Sequence, residues 1–560
     1  MTRQLRLGIA WILLLALPIF SSNGATPAAS QTIVVAQAST RPPATPQSRG
    51  KEISVAIATF GSGILDPIVG ASSSLRGYVE PMFDSFIRVD NEGKLIPGVF
   101  TSWEVGADGK QWTFKMRRGV KFHGDAGEAT AEDAKFSLER YLSPDSAYKG
   151  GWGAVFDKAE VIDPYTLRVT TKDRHPLLPI ELSQYGITPV IFLMPKRYIE
   201  QQGVEAFRKH PIGSGPYQFK SYIADSSLEL TAFDAHWGIK PGYDTLKIML
   251  VPNESARIGL LRQGRAQVVE VTPDGAKDVK AAGFDTRAVP GNILPSFQLY
   301  GTYYKTFKGP TSDVRVRKAL ALAINRKELV EALMPGGELP NAPAVSPANQ
   351  DIDVARWAKK AAETYVYDLP QAKRLLAEAG YPNGFEISLF TFDYPGAPLL
   401  TVAQAVQGYW EKIGVKAKII PTDYAGLRPR FDLDPLPASL VGQASTMRYL
   451  DRPDAIVNHK AAFYSGNKGI FRLLNTDAKT SAFPEVDQLM DTLATEFDVE
   501  KRKKINDRLL TIMVDSYTLI PLASIPTVFG VDPKVELDVR PFSQIGTRII
   551  YARPKSDTRP

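Results

Sequence analysis

Between residues 294 and 423 the sequence alternates strand-like runs with amphipathic helices, and glycine stops two of those helices. LPSFQLYG (294–301) reads as a strand and 313–333 as one long helix. A helix over 370–379 ends at Gly380, a good C-terminal cap, and GFEISLFTF (384–392) follows as a strand. TVAQAVQGYWEKIG (401–414) is a further helix with a glycine stop, leading into the strand VKAKIIPTD. Strands that alternate with helices bury their faces as a largely parallel, helix-covered sheet, so 290–520 is expected to form an α/β unit.

At 560 residues the chain is too long for one core, so two or three domains are expected. KEISVAIATF (51–60) reads as a first strand, stopped at Gly61-Ser62-Gly63. Over 86–122 short strands are punctuated by turns at Asn91-Glu92-Gly93 and Asp108-Gly109. Thr130 reads as the cap of a helix with Glu132 and Asp133 in its first turn, where the helix dipole favours acids. A strand–turn–strand unit follows around Asp163-Pro164. Beyond Pro211, GSGPYQFKSYIADSSLELTAF reads as two strands, YDTLKIMLVP as a third and AQVVEV (266–271) as a fourth, with a helix over 253–263. Together with the first strand these suggest one mixed sheet.

The two ends of the composition narrow the class. Arg3 and Arg6 precede the apolar run LGIAWILLLALPIF, which is too short to span a bilayer and is followed by small residues. That pattern is a secretory signal, with cleavage expected after Ala25, Ala29 or Ala38. Residues 26–50 are rich in Ala, Ser, Thr, Pro and Gln and read as a disordered leader. The chain has no cysteine, so lipid attachment through a lipobox, disulfides and thiolate metal sites are all excluded. The formal charge of +7 falls to about +5 without Arg3 and Arg6. KRKK (501–504), the densest basic run, lies on an expected helix and reads as a solvated face; nucleic acid is not an expected partner.

Catalytic signatures are missing. The five histidines (His123, His175, His210, His236, His459) have no metal-binding spacing, and neither HExxH nor GxSxG occurs. Gly61-Ser62-Gly63 and Gly213-Ser214-Gly215 fit no phosphate-binding pattern and read as backbone turns. No enzyme activity, metal or cofactor is implied.

Three segments recur in one order. The first holds LDP (65–67), EPMFDSFIRVDNEGKLIPGVFTSWEVGADGKQWTFKMRRGVKFHGD and TAEDAKFSLER; the second is HPIGSGPYQF (210–219); the third is DVRVRKALALAINRKELV (313–330). Together they resemble the extracellular solute-binding proteins of family 5, which serve dipeptide, oligopeptide and nickel ABC importers, over most of the chain after residue 50. The resemblance implies an α/β, two-lobed periplasmic-binding-protein fold (type II, cluster C-like) with an extra subdomain inserted in lobe one. Lobe one is expected at 51–290 plus 521–560, with the insert at about 88–210, and lobe two at 291–520. Hinge closure of the lobes over ligand is then expected. The start of the third segment is expected to be structural, with Asp313 capping and Val314, Leu320 and Ile324 facing the core.

Cleft residues are expected on loops at strand ends: Thr59, Phe60, Gly61 and Ser62 in lobe one, and Phe392, Asp393, Tyr394, Met447, Arg448, Tyr449 and Asp451 in lobe two. In peptide-binding members of the family an aspartate four residues before a proline pairs with the ligand's α-ammonium. Counting from Pro453 places Tyr449 there, so the simple alignment lacks the peptide anchor, unless Asp451 substitutes after a register shift. A carboxylate, a sugar or an opine-like conjugate suits Arg448 and Tyr449 equally well. The implied protein is a periplasmic monomer, free of the membrane, that captures a peptide-like or other polar small solute (a peptide, an opine-like conjugate or a sugar) in the cleft between its lobes and hands it to ABC permease subunits. The alternative is a sensory or chaperone-like solute binder uncoupled from transport.

Overall fold

The computed structural model describes residues 49–69, 77–90, 93–184, 190–302, 304–334, 336–343, 345, 349–391, 398–422, 436–450, 456–464, 485–538 and 549–555. Its strands are, in chain order, β1 (Gly50–Ile57), β2 (Ile87–Val89), β3 (Leu95–Pro97), β4 (Phe100–Val105), β5 (Gln111–Met116), β6 (Phe156–Asp163) and β7 (Thr166–Thr171). There follow β8 (Tyr217–Ile223), β9 (Ser227–Ala232), β10 (Tyr243–Leu250), β11 (Val268–Val271), β12 (Asp285–Leu299), β13 (Glu386–Thr391) and β14 (Lys416–Pro421). The last are β15 (Ala444–Leu450), β16 (Leu519–Pro521), β17 (Ile525–Val531), β18 (Val535–Glu536) and β19 (Arg553–Pro554).

Eleven of these form one mixed sheet in the order β14-β13-β15-β12-β17-β11-β1-β10-β9-β8, with β16 paired to β12. β1 lies between β10 and β11, parallel to both, and its last five residues are all buried, as a strand covered on both faces requires. The strands expected after Pro211 therefore join β1 in one sheet. β4, β5, β7 and β6 make a separate four-stranded antiparallel sheet, packed against the helix Ala131–Arg140. Thr130 caps that helix reciprocally: its backbone N–H donates to Asp133 Oδ2 at 2.9 Å.

Two large apolar cores divide the chain. One holds buried residues from Ile53 to Val289 and again from Phe529 to Ala552; the other runs from Ile293 to Ile525, with Leu177 added from outside that span. The chain passes from one core to the other at 289–293 and back at 525–529. These two crossings are paired strands: Val289 lies opposite Thr527, and Ile293 opposite Ile525, with a register shift between them. β12 begins well before LPSFQLYG, because the bulge at Pro290-Gly291 interrupts the apolar pattern without ending the strand.

Three sequence expectations need correction. The helix expected at 313–333 is two, Val314–Leu322 and Arg326–Leu333, because the Asn325 side chain accepts from the Glu328 N–H and caps a second helix. Val314 is 43% exposed and Val316 faces the core in its place, while Leu320 and Ile324 are buried as expected. KRKK is not wholly solvated, since Arg502 is buried and donates to Asp351 Oδ2 at 2.5 and 3.0 Å.

The recurring blocks meet in space. Asp66 of LDP is fully buried and takes a bidentate pair from Arg140 of SLER, at 2.7 and 2.6 Å, with Arg208 Nε at 3.1 Å. Gly213 and Gly215 press against the backbone of EPMFD: a Cβ on Gly213 would sit 2.0 Å from Met82 O, and one on Gly215 2.5 Å from Met82 C. Those glycines are therefore packing devices, in keeping with the turn reading. Arg317 donates to the carbonyls of Ser516, Thr311 and Ser312 at 2.6, 2.8 and 2.9 Å, tying its helix to the end of Val499–Ser516. Burial lowers the Arg317 guanidinium to about 10, still charged at neutral pH.

Candidate functional site

Residues 59–62 follow β1 at its carboxyl end, where open α/β sheets leave a crevice for ligand. The loop is held from below: the Ala58 N–H donates to Glu270 Oε2 at 3.0 Å, and the Gly61 N–H to Thr59 Oγ1 at 2.9 Å. The Gly63 N–H closes the turn on Phe60 O at 3.0 Å, with positive φ at Gly61 and Gly63. Phe60 is buried, its ring 5.1 Å from Tyr78 edge-on and 6.1 Å from Tyr222. Gly61 and Ser62 are exposed and Thr59 half-buried, so the loop offers backbone and hydroxyl groups above an aromatic floor. Glu270, Tyr78 and Tyr222 were not among the sequence candidates; Glu270 lies 212 residues along the chain from Ala58, whose N–H it accepts.

Beside the second core, β15 carries residues 447–449. Met447 and Tyr449 are buried in the second core, whereas Arg448 is half-buried and, by the strand's twofold alternation, on the opposite face. The Tyr449 hydroxyl donates to Gln298 Oε1 at 3.1 Å, and Gln298 Nε2 donates to the Tyr300 hydroxyl at 2.5 Å. Burial raises the Tyr449 phenol well above its ordinary range, so it is neutral. On the Arg448 face, Thr446 Oγ1 bonds Thr391 Oγ1 at 2.8 Å, where β13 ends. Phe392, Asp393, Tyr394 and Asp451 lie outside the described residues.

Register relates the two regions. Ala56 is level with Val269, and Val269 with Gly530, so residue 59 falls level with Thr527 and Val289. Leu450 pairs with Ile293, which pairs with Ile525. The ends of β1 and β15 therefore flank the strand crossing at 289–293 from opposite sides.

A further polar cluster is structural. Asp84 accepts from Ser214 Oγ at 2.9 Å and Trp237 Nε1 at 3.0 Å, with His236 Nε2 at 3.2 Å. Burial works to raise its carboxyl, but His236, Trp237 and Ser214 together hold it below the usual range. The cavity bounded by Glu80, Asp84, Arg88 and Gln184 has room for about one water molecule. Among the described residues no cluster of three His, Asp or Glu side chains is placed to hold a metal, and no helix is long and apolar enough to cross a membrane.

The chain was compared with known proteins. Residues 94–460 match the profile of the bacterial extracellular solute-binding proteins, family 5 (middle). The dipeptide-binding protein of Escherichia coli K12 is 30% identical over 360 residues, covering 59% of this chain and 64% of that protein. Thus the chain spans a little under two thirds of that relative. Heme-binding protein A of Haemophilus influenzae is 26% identical over 472 residues, covering 79% and 81%. Among solved structures, the mannopinic-acid complex of MoaA from A. tumefaciens R10 superposes with a TM-score of 0.69 at 24% identity, over 90% of this chain and 100% of that one. The two-lobed α/β periplasmic-binding-protein fold is common to these structures, and the chain belongs to the bacterial extracellular solute-binding proteins of family 5.

Proposed function

We propose that this protein is the substrate-binding component of an ABC importer, which captures a polar small solute between two lobes and presents it to a membrane permease. Lobe one comprises 51–290 and the residues beyond the return crossing at 525–529, with an insert at about 88–210; lobe two is 291–525. Family membership supports the solute-binding role, and the paired crossing at 289–293 and 525–529 is a hinge of the kind such closure uses. The protein works as a periplasmic monomer, and binding involves no covalent step.

The named relatives bind a dipeptide and heme, so family membership leaves the ligand open. The observation that carries the choice is the fate of position 449. Its side chain is a neutral tyrosine held by Gln298 inside the core, and it offers no carboxylate to an α-ammonium. An ammonium buried without a partner costs several kcal/mol. Arg448 supplies a positive charge instead. The reading favoured here is a solute with an anionic group, such as a carboxylate-bearing sugar or opine-like conjugate, held by Arg448, by the 59–62 loop with its exposed Gly61 and Ser62, and by the segments around 392–394 and 451.

Native mass spectrometry on protein purified from the periplasm, against the same sample denatured, tests this. A discrete extra mass lost on denaturation identifies the solute; a peptide mass would overturn the ligand class while leaving solute binding in place.

A further inference from the structure

The two cores exchange side chains at a place other than the strand crossing. Phe497, between the helices Glu485–Thr495 and Val499–Ser516, leaves the core of its own segment and packs against the other. Its ring stacks on Trp112 of β5 at 6.1 Å and 28°. In return Leu177, within the inserted segment, is buried in the core formed by 293–525, against which Ile180 also packs. The Arg174 guanidinium lies 5.2 Å from the Phe497 ring centre, and its Nη1 donates to Asp108 O at 3.3 Å. Arg174 Nε reaches Thr495 O at 3.5 Å, and Gln350 Nε2 donates to Gly93 O at 2.9 Å. Gly109, at φ +70°, lets this happen: a Cβ there would stand 3.0 Å from Phe497 and 3.1 Å from Arg174.

None of these residues belongs to the candidate cleft, and apart from the Arg174–Asp108 bond, which steadies Arg174 on its own side, each of these contacts joins segments of opposite cores. We propose that Phe497 and Leu177 form a reciprocal latch that raises the closed fraction of the ligand-free protein. Phe497 is thereby a positioning residue for solute capture: it acts on affinity through closure, without touching the solute. Apparent affinity scales with the fraction of molecules already competent, so a latch that changes the closed-to-open ratio changes affinity for every solute by the same factor. This rests on reading the two cores as lobes that close.

The chain has no cysteine, so the pair Ile162→Cys and Val366→Cys gives two unique labelling sites, both on exposed residues of opposite cores. Double electron–electron resonance on the spin-labelled, ligand-free full chain reads the distance between them. The parent is expected to show a dominant distance matching this structure. Phe497→Ala is expected to add a longer-distance population, with the closed-to-open ratio falling about tenfold, or about 1.4 kcal/mol. Arg174→Ala, on an exposed side chain that folding does not require, is expected to shift the ratio in the same direction and decides the matter if Phe497→Ala does not fold. A parent already dominated by the long distance, or an Arg174→Ala variant and a folded Phe497→Ala variant both indistinguishable from the parent, would overturn the latch. No ligand enters the measurement, so its failure leaves solute binding untouched, and a failure to bind solute leaves the distances to be read on their own.

Discussion

The Tyr449 hydroxyl donates to Gln298 Oε1 at 3.1 Å within a core that also holds Phe297 and Trp410. The bond joins neighbouring strands, since Tyr449 pairs with Leu294 and Gln298 with Ser445 in the same β12–β15 ladder. Tyr449→Phe removes the donor and leaves a buried acceptor short of one partner, at a cost of about 1–2 kcal/mol. Tyr449→Asp puts a carboxylate where burial is complete, and costs more. Urea unfolding should rank the variants in that order, and Tyr449→Asp should gain no affinity for dipeptides in calorimetry. A gain would mean that the side chain faces the cleft.

The Asp66–Arg140 pair is the second place where a single atom change should tell. Both side chains are almost wholly removed from solvent, at 0% and 6% exposure. A buried ion pair contributes little against an apolar alternative, but removing one partner strands the other. Asp66→Asn keeps the shape and loses the charge, so Arg140 is left with a neutral acceptor. The expected loss is about 3–5 kcal/mol in urea unfolding. A loss below 1 kcal/mol would show that water reaches Arg140.

These two pairs mark where the sequence was readable and where it was not. The cap at Thr130, the Gly380 and Gly414 stops and the β6–β7 hairpin follow from signals within a few residues, and the structure contains them all. Asp66 and Arg140 stood out in recurring blocks, yet their pairing spans 74 residues and is a property of the packed fold. Asn325, with Glu328 three residues on, is the local capping signal for the second helix, and the single helix expected over 313–333 passed over it. At the candidate site Arg448 was readable as a charge, whereas the inward direction of Tyr449 depends on β15 pairing with β12, and Gln298 is a polar residue hidden in an apolar strand.

Acid should destabilise the fold through two buried histidines. His123 accepts the Gly213 N–H on Nδ1 at 3.2 Å, which leaves Nε2 protonated to donate to Gly215 O at 2.9 Å, so the ring is held neutral. Burial lowers the ring to about 4, from 6.5, and does the same for His459. Between those values the unfolded chain takes up the proton and the folded one does not. The stability is therefore fully present above pH 6.5 and is lost as pH falls toward 4. From pH 7.5 to 5 the loss is roughly 2 kcal/mol for each ring. Urea unfolding at the two pH values should show it, and His123→Gln or His459→Leu should each reduce the difference by about that amount. A variant with the parent's full pH dependence would assign the loss to other groups.

Arg448 is the remaining charge on β15 beside the crossing, and it bears most directly on the ligand. The face it shares with Thr446 leads to the end of β13, and by strand alternation it points away from Met447 and Tyr449. If it orients an anionic group, Arg448→Ala should weaken binding of the solute identified by mass spectrometry at least tenfold, about 1.4 kcal/mol. Arg448→Lys keeps the charge but loses the planar fork that matches a carboxylate, so its affinity should fall between the two. The pattern separates charge from shape: equal losses in both variants point to the bidentate geometry, and a loss confined to Arg448→Ala points to charge alone. Calorimetry on the two variants at low and moderate salt makes the measurement, since a partly exposed charge pair weakens as salt rises. Unchanged affinity in Arg448→Ala removes Arg448 from the site and leaves the segments around 392–394 and 451 to supply the recognition.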